Sequence, residues 1–263
     1  MKISIITPSY NQGRFLEDAI RSVIGQDYPD FEHIIIDNCS TDDTIGIIKK
    51  YPHLKWISEP DKGQSDALNK GFKLASGEII GWLNCDDFYL PNSFKKVNEI
   101  LQHPKITGVY SDLKFCDVNK QIIQHYRSNR PSKFLSMFHT YISSEVFFFK
   151  RKIIDDDIRV ETKLNYCMDQ DFIAAILHKN YKLRYIKDCF AVFRWHGSNK
   201  SIHNDEVKEK RTIEGIEIFN KYNGWIKLNA QKPINQVLYY RMQSLIRLYR
   251  YFLKITSENY SIS

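Results

Sequence analysis

The chain has no stretch approaching the roughly 18 apolar residues that a bilayer-spanning helix needs. Its densest apolar cluster, Val146 to Phe149, is far too short, so a transmembrane protein is not expected. Cysteine is sparse and scattered: Cys39, Cys85, Cys116, Cys167 and Cys189 form no C-x-x-C pair. Neither a zinc site nor a full disulfide framework is indicated, and reduced thiols in a cytosol are expected. The N-terminus runs directly into Ile3-Ser4-Ile5-Ile6 without the charged lead, long apolar core and small-residue cleavage site of a secretory signal. The expected location is therefore cytoplasmic. No G-x-G-x-x-G follows the first apolar run and no G-x-x-x-x-G-K-[ST] occurs anywhere, so dinucleotide-binding and P-loop readings lose their usual support. Internal repeats and low-complexity tracts are missing as well.

What is present is the composition of a folded chain. A hydrophobic share of 43% and a charged share of 26% lie far from the disordered regime. With 263 residues there is room for one large α/β domain or two small ones, and one domain with a helical tail is expected. A net charge of +7 suits a surface that meets anions: nucleotide phosphates, acidic lipid head groups or nucleic acid. No nucleic-acid module is recognisable, so that partner is not expected.

Lys2 to Thr7 is a β-branched run ended by Pro8, then comes Tyr10-Asn11-Gln12-Gly13 and the helical spacing Phe15, Leu16, Ala19, Ile20, Val23. His33 to Ile36 ends at Asp37-Asn38, and Ser40-Thr41-Asp42-Asp43 supplies cap residues for a helix carrying Ile45, Ile48 and Tyr51. Lys55 to Ser58 reads as a third strand, Ser65 to Ala75 as a third helix, and Glu78 to Leu83 as a fourth strand stopping at Asn84-Cys85-Asp86-Asp87. This alternation predicts an α/β fold with a doubly wound, mostly parallel sheet flanked by helices, its ligand beyond the carboxyl ends of the strands. After Pro91 the pattern loosens: a helix near Ser93 to Gln102, strands near Thr107 to Phe115 and Gln121 to Tyr126, and a mixed segment to Phe149. A further strand is expected at Phe190 to Phe193, and from about Asp205 the chain turns helical, punctuated by Gly224 and Pro233.

Several side chains in this frame can do chemistry. Asp86 and Asp87 at a strand end are hard oxygen donors suited to a divalent ion, although an acidic pair is also a common turn. Asp37 can accept a hydrogen bond from a base imide N–H or simply close an Asx turn. Lys62, Lys70 and Arg14 lie near the same motifs and can meet phosphate, while solvated surface is the commoner place for such residues. In Met168-Asp169-Gln170-Asp171 the two acids cannot face the same side of a helix, so one of them at most is a general base. Both would also favour a helix N-terminus, by roughly 0.3–1 kcal/mol at exposed sites. The loop from Phe193 to Ser201 gathers Arg194, His196 and hydroxyls that can close over a diphosphate. Trp82 offers a stacking face or a core side chain.

In order along the chain stand Thr7-Pro8-Ser9-Tyr10-Asn11, Asp37 with Ser40-Thr41-Asp42, Glu59-Pro60-Asp61-Lys62-Gly63-Gln64 leading to Asp66-Ala67-Leu68-Asn69-Lys70-Gly71, and Trp82-Leu83-Asn84-Cys85-Asp86-Asp87. This series resembles the family 2 glycosyltransferases of GT-A fold over roughly residues 2 to 200. The resemblance implies a domain over 1–204, with a nucleotide-binding half of about 1–100 and an acceptor half of about 101–204, and a helical extension over 205–263. By it, Pro8, Tyr10 and Asp37 hold the nucleoside, and Asp86 is the principal ligand of Mn2+ or Mg2+ with Asp87 sharing the role. By the resemblance Asp169 is also the catalytic base and His196 reaches the metal or the phosphates, while Lys62, Lys70 and Arg194 are expected to contact phosphate or donor from their place beside these motifs. Asn84 departs from the family's D-x-D motif: an amide facing the ribose or a metal-bound water adds no negative charge and should weaken ion affinity.

The implied reaction is a single inverting displacement from a nucleotide sugar, a UDP-sugar foremost. The implied acceptor is a saccharide or lipid-linked saccharide in bacterial capsule, O-antigen or exopolysaccharide assembly. A nucleotidyltransferase would need a glycine-rich basic signature near the first strand, which Tyr10-Asn11-Gln12-Gly13-Arg14 is not. An inactive nucleotide-binding scaffold is the reading that Asn84 keeps open. In the tail, Leu238, Met242, Leu245, Tyr249 and Phe252 fall on one helix face with Arg247, Arg250 and Lys254 opposite. That face can pack on the domain, pair with a second subunit as a homodimer, or lie on the anionic inner face of the cell membrane.

Overall fold

The first apolar run folds as β1 (Ile3–Ser9), in which every residue but Pro8 is buried. A strand covered on both faces needs no polar alternation, which is why this run shows none. The computed structural model describes residues 1–200 and 204–259, with side chains described as far as Tyr249; Ser201 lies outside them. α1 (Gly13–Ile24) buries Phe15, Leu16, Ala19, Ile20 and Val23, the spacing read from the sequence. The unit repeats through β2 (Phe31–Asp37), α2 (Thr44–Lys49), β3 (Lys55–Ser58), α3 (Gln64–Leu74) and β4 (Ile79–Trp82). These strands pair in parallel in the order β3-β2-β1-β4, so Ser58, Asp37, Ser9 and Trp82 end at one edge of the sheet.

The second half adds β5 (Phe88–Tyr89), α4 (Ser93–Leu101), β6 (Gly108–Cys116), β7 (Ile122–Tyr126), α5 (Lys133–Ser136), β8 (Phe147–Lys150) and α6 (Lys152–Asp155). It closes with α7 (Met168–His178), β9 (Leu183–Arg194), α8 (Asp205–Tyr222) and α9 (Pro233–Asn259). The nine-stranded sheet continues β4-β8-β6-β9-β5, with β7 on β6. β8 runs antiparallel to both its neighbours and β9 parallel to β6. Parallel pairing therefore dominates the first half, and the segment up to Phe149 that the sequence pattern left mixed contributes an inner strand.

Period two along the strands divides the core. Ile6, Ile34, Ile36 and Ile80 pack with Phe72, Phe149 and Phe172 on one face, and Ile3, Ile5 and Ile79 pack with Phe94, Val97 and Phe148 on the other. The run Phe147-Phe148-Phe149 is explained by this division, since alternate rings enter opposite layers.

The tail joins the first of these layers through Ile216, Phe219, Tyr239 and Ile246. Of the apolar face expected on α9, Met242 packs inward beside Tyr239 and Ile246, whereas Leu238, Leu245 and Tyr249 remain 45%, 66% and 53% exposed. The cause is Tyr239, whose ring lies 6.0 Å from Phe138 and 6.2 Å from Phe219. It passes over Gly215, where a Cβ would come within 2.7 Å of its hydroxyl. Arg250, Phe252 and Lys254 lie outside the described side chains. No helix among the described residues is long and apolar enough to cross a membrane.

Candidate functional site

The loops at the carboxyl edge are tied into one wall. Asn11 adopts the left-handed region (φ 50°), which an asparagine tolerates. Its N–H donates to Ser40 Oγ and its Oδ1 accepts from the Thr41 N–H, both at 2.8 Å. The Gly13 N–H donates to Asp42 Oδ2 at 2.9 Å, and a Cβ at Gly13 would lie 2.9 Å from the Thr44 nitrogen, so only glycine fits there. Asp37 is fully buried beneath this wall, accepting from the Ser40 N–H at 3.0 Å and from Ser58 Oγ at 2.7 Å. The following residue, Asn38, is the one that lines the cleft, with its Oδ1 taking the Asp61 N–H at 2.9 Å.

The wall faces a cleft of about 660 Å³. Pro8, Tyr10, Asn38, Trp82, Asn84, Asp86 and Asp169 line it, so Asp86 and Asp169 share one space. Asp37 and Asp87, which were expected beside them, are not among its lining residues.

Asp86 is 8% exposed, and its Oδ2 accepts from His196 Nε2 at 3.0 Å and Asn199 Nδ2 at 3.3 Å. His196 is itself fixed by the Phe15 ring 4.5 Å away and by Ser198 Oγ at 2.9 Å from Nδ1. Two anchors therefore orient one carboxylate oxygen, and Oδ1 takes no hydrogen bond among the described residues. Asp87 turns the other way, accepting the Arg194 N–H at 3.0 Å and Asn84 Nδ2 at 3.1 Å. Burial, with the charges of Asp86 and Glu145 beside it, holds its carboxyl well above the usual range. Asp87 is thus a buried support of the turn rather than a second cleft-facing donor.

Asn84 uses all its hydrogen-bonding capacity. Its amide nitrogen donates to Asp87 at 3.1 Å and to Glu145 Oε1 at 2.7 Å, while its oxygen accepts from Gln64 Nε2 and Trp82 Nε1, both at 2.9 Å. An amide is the side chain that can stand between two carboxylates in this way.

The acids of α7 separate as their spacing requires. Asp169 lines the cleft, and Asp171 is buried on the other side with Lys221 Nζ at 2.9 Å from both its oxygens. Burial pushes the Asp169 carboxyl from 3.8 up to about 6, with Glu145 adding to the rise and the Gln170 N–H, 2.8 Å away, opposing it. The entry to α7 is held by Glu214 of α8, whose carboxylate accepts the backbone N–H of Asn165, Tyr166 and Cys167, each at 2.8 Å.

The expected cations do not line the cleft. The Arg194 guanidinium is buried between the rings of Phe15 (4.9 Å) and Phe88 (5.5 Å) and bonds Asp18 at 2.7 Å, so it is committed to α1. Lys70 pairs with Glu59 at 2.8 Å and bonds the Pro60 carbonyl, away from the cleft lining. Lys62 is exposed beside Asp61 and Gly63 without lining the cleft itself. The cations that do line it are Lys200 and Arg211. The first lies in the loop already singled out from the sequence. Arg211 and Glu145 carried no local signal, because a helix surface and a single-turn segment bring them in from far along the chain.

The described residues contain no group of three or more His, Cys, Asp or Glu able to hold a metal ion. Asp86 is instead suited to an ion completed by substrate: Mg2+ is usually bound through one or two carboxylates plus substrate phosphates, and a free carboxylate oxygen in the cleft meets that requirement.

Residues 4–159 match the family model described as glycosyl transferase family 2. Among curated proteins the chain is similar to an uncharacterized glycosyltransferase, alr2836, of Nostoc sp., with 27% identity over 244 residues, 84% of this chain and 74% of the relative. It is 30% identical over 102 residues to the poly(ribitol-phosphate) beta-N-acetylglucosaminyltransferase TarS of Staphylococcus aureus, covering 36% of this chain and only 18% of that protein. The crystal structure of S. aureus TarS 1–349 in complex with UDP-GlcNAc superposes with a TM-score of 0.60 at 21% identity over 84% of this chain and 71% of that one. The mannosyltransferase PcManGT from Pyrobaculum calidifontis, in complex with GDP-Man and Mn2+, gives 0.64 at 20% identity over 91% and 69%. The sheet and its helices thus share the GT-A fold of these two enzymes.

Proposed function

Because the chain belongs to glycosyl transferase family 2 and is a glycosyltransferase, we propose that its cleft moves a sugar from a nucleoside diphosphate sugar to an acceptor hydroxyl with inversion at the anomeric carbon. The donor is a UDP-sugar, and the acceptor a saccharide or lipid-linked saccharide in bacterial surface polysaccharide assembly. The observation that carries this reading is the convergence of Asp86 and Asp169 on one cleft, although they are far apart in sequence.

Asp169 takes the proton from the acceptor hydroxyl as its oxygen bonds to the anomeric carbon, on the face opposite the departing diphosphate. A carboxyl raised to about 6 is a stronger base than an ordinary aspartate and is still ionised at neutral pH. Mn2+ or Mg2+ bound at Asp86 would neutralise the diphosphate. His196 and Asn199 hold Asp86 at the required orientation, and Lys200 and Arg211 bring positive charge to the same cleft. Pro8, Tyr10 and Asn38 form the nucleoside wall, with Asp37 fixing it from beneath. The exposed side of α9 is where peripheral contact with an anionic membrane would fall, with Arg241 and Arg247 among its apolar residues.

The test is proton NMR of the reaction with UDP-sugars and Mn2+ across pH. The product should carry the anomeric configuration opposite to the donor. kcat/KM should rise about tenfold per pH unit up to a limb near 6, because the base works only when deprotonated. Retention of configuration, or a flat profile through pH 6, would overturn the assignment.

A further inference from the structure

Part of the cleft is walled by aromatic rings. Its lining there carries Phe115, Tyr126, Phe193 and Trp195, drawn from β6, β7, β9 and the loop that follows β9. Ring centroids lie 5.3 Å apart for Phe115 and Phe193, 6.2 Å for Phe193 and Trp195, and 6.5 Å for Phe115 and Tyr126. The rings therefore form one continuous wall. Trp195 is 42% exposed although its backbone N–H is tied to the Cys116 carbonyl at 2.7 Å, so its position is set by the sheet while its indole meets solvent. Phe115, Tyr126 and Phe193 are partly buried behind it, so the wall presents a half-open apolar face to the cleft, of the kind that lines small-molecule sites.

We propose that this wall is a saccharide subsite, with Trp195 stacking on a pyranose ring of the acceptor. The inference rests on the sugar-transfer reading and adds the ligand's place and its recognition. A pyranose ring presents an apolar face of C–H bonds, edged by hydroxyls. A flat indole matches the face. The same cleft supplies Thr140 and Ser143 as hydroxyl partners. An isoprenoid tail would call for an unbroken apolar path, which this mixed lining does not give. Position supports the assignment as well: Trp195 precedes His196, which holds Asp86, so a sugar on the indole lies next to the loop that orients the donor end.

The test is saturation-transfer NMR of the full chain with UDP and Mn2+ present. The probes are methyl hexosides, maltose, cellobiose, lactose and chitobiose, with farnesyl phosphate as the lipid arm. At least one saccharide should bind, with saturation concentrated on its ring C–H protons. Trp195→Ala should weaken that binding about tenfold and Trp195→Phe by no more than about twofold, with UDP affinity unchanged in both. UDP binding by each variant reports that it is folded. Equal saccharide binding by Trp195→Ala and the unsubstituted chain overturns the subsite. So does a chain that binds UDP but no saccharide, or that takes farnesyl phosphate in its place. Failure of the unsubstituted chain to bind UDP is the separate result that removes the functional reading itself.

Discussion

Asp169→Asn is expected to lower kcat by about 10³-fold while leaving UDP affinity within about twofold. The amide has nearly the shape of the carboxylate, so its oxygen can keep the Gln170 N–H bond at 2.8 Å. What it loses is the ability to take a proton. The helix should not shift, because Asp171 on Lys221 and Glu214 on the three N–H groups before α7 hold it independently. Stability supplies a second check with a definite sign. The folded chain raises this carboxyl to about 6, so its ionised form is disfavoured by folding and that penalty is fully present at pH 7. Removing the charge should leave the melting temperature unchanged or higher. Single-turnover transfer and UDP titration together read the outcome, and undiminished turnover would take Asp169 out of the mechanism.

Asn84→Asp is expected to destabilise the fold by about 3 kcal/mol, lowering the melting temperature by roughly 6–12 °C, and to reduce transfer. The change restores an acid to the first position of the D-x-D motif, so a reading from the motif alone would expect tighter ion binding. The surroundings dictate the reverse. Both amide protons are engaged, one on Asp87 and one on Glu145, and the substitution deletes both bonds and places a third carboxylate between two others. Asp87 is already held well above the ordinary carboxyl range by burial and by its charged neighbours. Adding Glu145→Gln restores a donor across the gap and should recover part of the loss. Differential scanning calorimetry of the single and double variants decides this: an unchanged or raised melting temperature for Asn84→Asp would show that the amide is replaceable. On this account Asn84 is a positioning residue suited to its two acidic neighbours, rather than a weakened ligand.

The first half of the fold was legible because strand and helix periods alternate cleanly there: β2 and β4 end within a residue of where Asp37 and Asn84 predict, whereas β1 runs through Pro8 to Ser9. The second half was less so. β8 opens with three phenylalanines without alternation, a run that periodicity cannot assign until the two layers it enters are known. At the candidate site, the residues that carry a local motif come together: Pro8, Tyr10, Asn84, Asp86 and Asp169 all line the cleft. The expected residues that do not line the cleft share one cause. Arg194, Lys70 and Asp87 have the expected charge in the expected segment, but each is engaged by another group: Arg194 by Asp18 and Asp87 by the Arg194 N–H, both far along the chain, and Lys70 by Glu59 within its own segment. Glu145 and Arg211 were missed for the converse reason, since only the folded chain brings them to the cleft. The tail helix followed the same rule, because one aromatic ring, Tyr239 over Gly215, outweighed the broader apolar stripe in setting its rotation.

The central claim is that Asp86 opens onto a site for a nucleoside diphosphate and its ion. Thermal melting with UDP, GDP or ADP, each with and without Mn2+, tests it directly when Asp86→Asn is melted alongside. One nucleotide together with Mn2+ should raise the melting temperature by roughly 5–10 °C at about 100 times its Kd, and Asp86→Asn should lose the Mn2+-dependent part of that rise. A chain that no nucleoside diphosphate stabilises, or a Mn2+-dependent rise that survives in Asp86→Asn, would contradict the account.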